Sequence, residues 1–405
     1  MKTFTELGVN SNFLEKLKER SIINPTSIQN LVIPNLLAKK NIIFRSATGT
    51  GKTFAYLLPS LQLLADEGGD FQQGAVMLIC APTFELCAQI KKEVEFLTKM
   101  PVIQLVGSVN IDKQVETLRK SKPAIIIGNP GRLLSLAKMG KLKLNNLRFL
   151  ILDEADRLTV QECIEETTEL LELIKRYNKA AQLQGICFAA CSATVSKKTG
   201  MQLGPLFKDA EIIESDDHEI LQDRIEHWAV FSEKRKKDQT LRSFLSALNA
   251  AKSKKSGVKV LIFTSRNDEA LFVLSRLKHH KVAAEGLFSK ISKKPISITA
   301  RKEALDSFRD GSVNVLVSTD LAARGLDIPD ITHVIALDVP SDSEFYIHRC
   351  GRTGRAGKKG VMVTIGDETQ MRLLATMEKK LKIKIYPKEI HYGQISAPLP
   401  MEDDE

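Results

Sequence analysis

Short apolar runs alternate with amphipathic stretches along the chain. Runs at 42–44, 76–80, 124–127, 149–152 and 186–190 predict one series of buried strands; runs at 228–231, 260–263, 313–317, 333–337 and 361–365 predict a second. Helical patterns such as 54–65 and 166–175 lie between them. Near-continuous apolar strands separated by helices predict α/β domains, each with a mostly parallel sheet flanked by helices. Two series predict two domains, which suits 405 residues. The polar segment SDDHEILQDRI, 215–225, lacks a strand-like run and is the expected linker. It divides a first domain, 1–214, from a second, 226–405.

Many of these runs end in a polar or glycine-rich signature. The run at 42–44 leads to 46–53, 76–80 to 81–86, 124–127 to 128–132, and 149–152 to 153–156. Likewise 186–190 leads to 192–194 and 313–317 to 318–327. Open parallel sheets bind ligands beyond the carboxyl ends of their strands. Signatures scattered in sequence are therefore expected to converge in space.

Composition narrows the class. Hydrophobic residues make up 43% and charged residues 27%, the balance of a soluble globular protein. The net charge of +10, with both halves basic and the join acidic, fits a protein that meets phosphate. Six cysteines form no CxxC, and no histidine sits at zinc-like spacing. Reduced core thiols and a reducing, cytoplasmic compartment are the expectation. No signal-peptide pattern opens the chain, and its longest uncharged stretch, 180–196, is too short and polar to span a bilayer.

The chemistry begins with SATGTGKT, 46–53, between a predicted strand and helix. Ala47, Thr48, Gly49, Thr50 and Gly51 offer backbone amides to an anion at a helix N-terminus. Ala47 stands where the usual pattern starts with glycine. Lys52 can reach β- and γ-phosphates, and the Thr53 hydroxyl can ligate Mg²⁺. In RFLILDEADRL, 148–158, an apolar run ends in Asp153, Glu154 and Asp156. Carboxylates this close repel and call for a cation among them. Asp153 is expected to hold Mg²⁺ opposite Thr53, and Glu154 to orient and deprotonate the attacking water. Asp156 is expected to pair with a neighbouring cation or hydroxyl and couple the site to its surroundings. These parts define an ATPase and leave the use of its energy open, since kinases and transporters share them.

The letters at 153–156 read DEAD, and from residue 4 to about residue 385 the chain resembles the DEAD-box ATP-dependent RNA helicases of superfamily 2. The resemblance implies two tandem RecA-like domains, with ATP and Mg²⁺ as cofactors and RNA as partner. NPTSIQ, 24–29, looks like the Q motif, so Gln29 would read adenine, and Phe4 falls where the family places an adenine-stacking aromatic. APTFELCAQ, 81–89, is similar to motif Ia with Phe84 replacing an arginine; GNPGR, 128–132, resembles motif Ib with Asn129 replacing a threonine; VGS, 106–108, keeps one of two expected glycines. Pro82, Thr83, Gly107, Pro130, Gly131 and Arg132 would hold the RNA backbone. SAT, 192–194, matches motif III, so Ser192 and Thr194 would couple the acidic turn to domain closure.

The second half carries a matching set. LIFTSR, 261–266, resembles motif IV, with Thr264 and Arg266 toward RNA. STDLAARGLDIP, 318–329, looks like motif V: Thr319 and Arg324 would face RNA, Gly325 and Asp327 the nucleotide and ribose. YIHRCGRTGRAG, 346–357, looks like motif VI. Arg352 and Arg355 would be arginine fingers for the γ-phosphate, and His348 an interdomain hydrogen-bonding residue. The segment GLFSKISKKPISITAR, 286–301, departs from the family pattern: Ile298 stands in a glutamine place and a short insertion is expected around 292–297. The helix and edge strand expected around 379–384 close the fold, and MEDDE, 401–405, is expected to be a solvated tail.

The mechanism implied by the resemblance splits the nucleotide site between the halves. Lys52, Thr53, Asp153 and Glu154 face Arg352 and Arg355 only when two domains close around ATP and RNA. Bending of the bound strand then displaces its partner. Rival readings are a DNA helicase or translocase of the same superfamily, and an RNA clamp or assembly scaffold that unwinds little.

Overall fold

The computed structural model describes residues 2–45, 50–68, 74–159, 163–180, 185–192, 210–214, 224–249, 257–288, 290–291, 294–295, 298–320, 328, 330–340, 342–354 and 358–398. The chain forms two compact units, Met1–Asp216 and Asp217–Glu405. Most of the expected linker lies outside the described residues, and Ile225 already opens a strand.

In the first unit, β1 (Ile42–Arg45), β2 (Met77–Cys80), β3 (Val102–Leu105), β4 (Ile125–Gly128), β5 (Phe149–Leu152), β6 (Cys187–Ser192) and β7 (Glu211–Glu214) form one sheet. Their order is β3-β4-β2-β5-β6-β1-β7, and every pairing is parallel. All carboxyl ends therefore share one edge. β2, β4, β5 and β6 are buried at every position, as their continuous apolar letters require. Alternation still assigns the two faces. Ile42, Phe44, Met77 and Ile79 enter one core; Ile43, Leu78 and Cys80 enter the other. Gly128 ends β4 where a Cβ would lie 2.4 Å from the Leu105 carbonyl oxygen, so only glycine allows this approach.

The second unit repeats the plan with β8 (Ile225–Phe231), β9 (Val260–Thr264), β10 (Ala284–Leu287), β13 (Val315–Thr319), β14 (His333–Ala336), β15 (Gly360–Gly366) and β16 (Ile385–Pro387). The order is β10-β13-β9-β14-β15-β8-β16, again wholly parallel, with a core on each face. A small antiparallel pair, β11 (Lys290–Ile291) and β12 (Lys294–Pro295), brackets the start of the expected insertion. The helix Glu368–Leu381 and β16 give the expected close of the fold, after which β17 (Glu389–His391) and β18 (Gln394–Ser396) form a second hairpin. The MEDDE tail lies outside the described residues.

The six cysteines are free thiols, and all but Cys163 are buried. Burial pushes Cys187 up to about 11, so that thiol stays protonated and unreactive at neutral pH. Among the described residues, no helix is long and apolar enough to cross a membrane.

Candidate active site and nucleic-acid face

The helix Lys52–Asp66 starts at the carboxyl edge of the first sheet. Its N-cap, Gly51, has φ 88 and ψ 22, a left-handed conformation. A Cβ there would lie 2.5 Å from Gln29 Nε2, because that amide donates to the Gly51 carbonyl at 3.0 Å. Gln29 also closes a capping box: its Oε1 accepts from Thr26 N at 2.9 Å, while Thr26 Oγ1 accepts from Gln29 N. The Q-motif helix Ser27–Leu37 is thus tied to the start of the phosphate-loop helix. An amide oxygen accepts twice and its nitrogen donates twice, so one valence of each remains for a base. Thr50 is buried; Ala47, Thr48 and Gly49 lie outside the described residues.

Parallel pairing brings the acids to the same edge. Leu152, the last residue of β5, lies opposite Ala190 of β6, and Arg45, the last of β1, lies opposite Ser192. Asp153 is buried, with 3% exposure. Its Oδ2 accepts from the Tyr56 hydroxyl at 2.8 Å; its Oδ1 accepts from Cys191 Sγ at 2.8 Å and from Glu154 N at 2.9 Å. Burial pushes the carboxyl above its ordinary range, against the bonds from Cys191 and Tyr56 and the charge of Lys52. Burial and the Asp153 charge also raise the Tyr56 phenol well above its usual value, which keeps it a donor.

Glu154 turns sharply out of the strand at φ 51, ψ 53 and N-caps the short helix Ala155–Leu158. Its Oε2 pairs with Arg157 Nη1 at 3.3 Å. Asp156 is the second residue of that helix and is half-buried. No group of three or more His, Cys, Asp or Glu residues among those described could hold a metal by itself. One buried carboxylate and the Thr53 hydroxyl fit a hard cation that takes its remaining ligands from phosphate and water.

The motif Ia, glycine and Ib segments meet the same sheet. Thr83 N-caps the helix Phe84–Leu97 by accepting from Leu86 N at 3.2 Å, with Pro82 just before it. Phe84, where the family pattern carries arginine, packs against the core. Arg132 donates to the Gly107 carbonyl and to Gln114 Oε1, both at 3.0 Å, so the Gly107 turn and the Pro130–Lys138 helix, which includes Gly131, form one local unit.

Three of the expected contact residues lie inward. Phe4 is 3% exposed and packs in the core with Leu7, Val9 and Phe13. Thr264 is fully buried and its hydroxyl donates to the Arg266 carbonyl at 3.0 Å, closing the end of β9. Thr319 is also buried, with its hydroxyl 3.5 Å from Asn267 Oδ1. Arg266 is exposed and pairs with Asp268. Thr194, Arg324, Gly325, Asp327 and Arg355 lie outside the described residues.

Motif VI contains a residue whose role its spacing does not reveal. Arg349, 1% exposed, donates to both Asp320 oxygens at 2.7 Å, to Asp338 Oδ1 at 2.8 Å and to the Asp338 carbonyl at 2.8 Å. Asp338 in turn accepts from Ser265 N and Ser265 Oγ. The ends of β9, β13 and β14 are thereby joined through one guanidinium. Burial opposes its charge, but Asp320 and Asp338 more than offset this and hold it above its ordinary value. Arg349→Ala leaves two carboxylates without their cation and should destabilise the second unit by about 3–5 kcal/mol. Urea unfolding of the intact chain checks this; a change under about 1 kcal/mol would contradict the hub. Arg352 and His348 are both buried beside it, His348 on the helix Ser343–Cys350 and Arg352 just after it.

A phosphate-loop helix and a carboxylate-bearing turn at the shared edge of a parallel sheet define a nucleotide hydrolase of the RecA-like type. Residues 26–202 match the DEAD/DEAH box helicase family and 236–357 the helicase conserved C-terminal domain. The chain is 34% identical over 381 residues to the DEAD-box ATP-dependent RNA helicase CshC of Bacillus cereus, covering 93% of this chain and 90% of that protein. Its fold is similar to that of Mss116p bound to ssRNA and AMP-PNP, with a TM-score of 0.82, 27% identity, and coverage of 96% of this chain and 80% of that one. Dbp5 of S. cerevisiae bound to RNA and ADP BeF3 gives 0.80 and 25%, covering 96% and 95%. The chain belongs to the DEAD-box ATP-dependent RNA helicase family and is an ATP-hydrolysing enzyme.

Proposed function

We propose that this enzyme couples ATP hydrolysis to local separation of RNA duplexes or remodelling of RNA–protein complexes. The observation that carries the reading is the shared edge: Gly51, Lys52 and Thr53 open a helix where Asp153 and Glu154 leave β5. The region 1–214 acts as the ATP-binding domain, 215–225 as the linker and 226–405 as the partner domain. Thr53 and Asp153 hold Mg²⁺, which supplies charge neutralisation to the phosphates when bound. Amides of residues 47–51 and Lys52 hold the phosphates. Gln29 uses its remaining donor and acceptor on adenine. Glu154 orients the attacking water and takes its proton. Arg352 and Arg355, from the second unit, meet developing γ-phosphate charge, while Gly325 and Asp327 contact the nucleotide. Ser192, Thr194, Asp156 and His348 carry the state of the nucleotide to the rest of the protein.

RNA is held by its backbone, without base reading, at Pro82, Thr83, Gly107, Pro130, Gly131, Arg132, Arg266 and Arg324. The family's strand bending then ejects the complementary strand. The cytoplasm is the compartment that free, mostly buried thiols support. A clamp that grips RNA and unwinds little is favoured by one set of observations: Phe84 packs against the core, and Thr264 and Thr319 are buried. Displacement of a labelled strand from a short RNA duplex, with DNA of equal length as control, separates the readings. ATP-dependent release from RNA alone supports the helicase; release from DNA equally well contradicts the proposal.

A further inference from the structure

Tyr56 and Cys191 belong to none of the nucleotide contacts above, yet both donate to the acid on which the metal reading rests. Tyr56 lies one helical turn after Lys52, so the two side chains share a face of the helix. Its ring is fully buried, and its hydroxyl reaches Asp153 Oδ2 at 2.8 Å. Cys191, also fully buried, lies on β6 immediately before Ser192 and reaches Asp153 Oδ1 at 2.8 Å. The Glu154 amide supplies a second bond to Oδ1 at 2.9 Å. Each carboxylate oxygen has two acceptor positions. Among the described residues Oδ1 is therefore filled and Oδ2 keeps one position open. Donors on both oxygens also stop the carboxylate turning about its own bond.

We propose that Tyr56 and Cys191 are positioning residues that lock the Asp153 carboxylate so that one lone pair of Oδ2 is presented to the hydrated cation of the bound nucleotide. This rests on the assignment of Asp153 to Mg²⁺. The lock joins the helix after the phosphate loop to the strand that carries motif III. It makes the Mg²⁺ dependence of nucleotide binding sensitive to two buried groups that never touch the nucleotide. A buried phenol needs some partner, so the bond alone could serve only to satisfy Tyr56. The two roles differ in what the cation feels.

The test measures binding of a fluorescent ATP analogue to the intact chain as Mg²⁺ is titrated, with thermal melting in parallel. Tyr56→Phe keeps the ring and removes one hydroxyl. It should raise the Mg²⁺ concentration at half-maximal binding by about 10–100-fold and leave binding without Mg²⁺ unchanged. Cys191→Ala should shift it in the same direction, and Cys191→Ser, which keeps a donor, should restore most of the loss. Asp153→Asn separates the two levels of the account. If Asp153→Asn removes the Mg²⁺ response while Tyr56→Phe and Cys191→Ala keep the parental midpoint, the lock is wrong and the metal assignment stands. If Asp153→Asn itself keeps the parental response, the metal assignment fails and the lock with it. A change in melting with an unchanged Mg²⁺ midpoint also overturns the positioning role.

Discussion

Glu154→Gln is expected to lower ATP turnover by about 10²–10⁴-fold while ATP and RNA remain bound together. The substitution removes the proton acceptor and keeps the side chain's length and shape. It also keeps the backbone requirement. Glu154 sits at φ 51, ψ 53, a conformation that costs a non-glycine residue about 1–3 kcal/mol and is held by the junction of β5 with the helix Ala155–Leu158. Glutamine inherits that junction, and its amide oxygen can still accept from Arg157, the partner of Glu154. Loss of activity would therefore report chemistry and not collapse of the turn. Phosphate release in the presence of RNA gives the rate, and co-retention of labelled nucleotide and RNA gives the trapped complex. A cleanly folded variant that turns over at the parental rate would remove Glu154 from the role of base.

Arg352→Ala is expected to cost about 10³–10⁵-fold in turnover with little change in nucleotide affinity. The affinity is assigned to the first unit, where Gly51, Lys52 and Asp153 lie; the charge that appears at the γ-phosphate during reaction is assigned to the second. Arg352 follows the helix Ser343–Cys350, its amide bonded to the Arg349 carbonyl at 3.1 Å. Arg349→Ala, which leaves Asp320 and Asp338 without their cation, should lose stability; Arg352→Ala, read without denaturant at a temperature where both variants stay folded, should lose rate. If Arg352→Ala stays within about tenfold of the parent, the second unit does not supply the charge to the transition state.

The central strands were legible because they are buried on both faces, which writes continuous apolar letters. All ten expected runs are strands, shifted by a few residues at most. The strands that escaped lie at or near sheet edges. β3 alternates between buried and half-buried positions, and β7 reads EIIE with its side chains mostly exposed, so neither carries a continuous apolar signal. The motif letters located the phosphate loop and acidic turn because those need particular residue types at particular spacings. They did not say which way a hydroxyl or ring points. Phe4, Thr264 and Thr319 turn inward because each has an apolar neighbourhood or a backbone partner waiting there. Tyr56 and Cys191 left weak signals, one turn after Lys52 and one residue before Ser192. Arg349 left none, since its role depends on Asp320 and Asp338 meeting across three strand ends.

The central claim is that residues from both units make one working site only while RNA is held. The direct measurement is steady-state ATP turnover of the intact chain with and without single-stranded RNA at saturating ATP, with small-angle scattering of the same samples. The account predicts slow turnover alone, a large increase with RNA, and compaction when ATP analogue and RNA are both present. Equal turnover in the two conditions, with unchanged scattering, would contradict it.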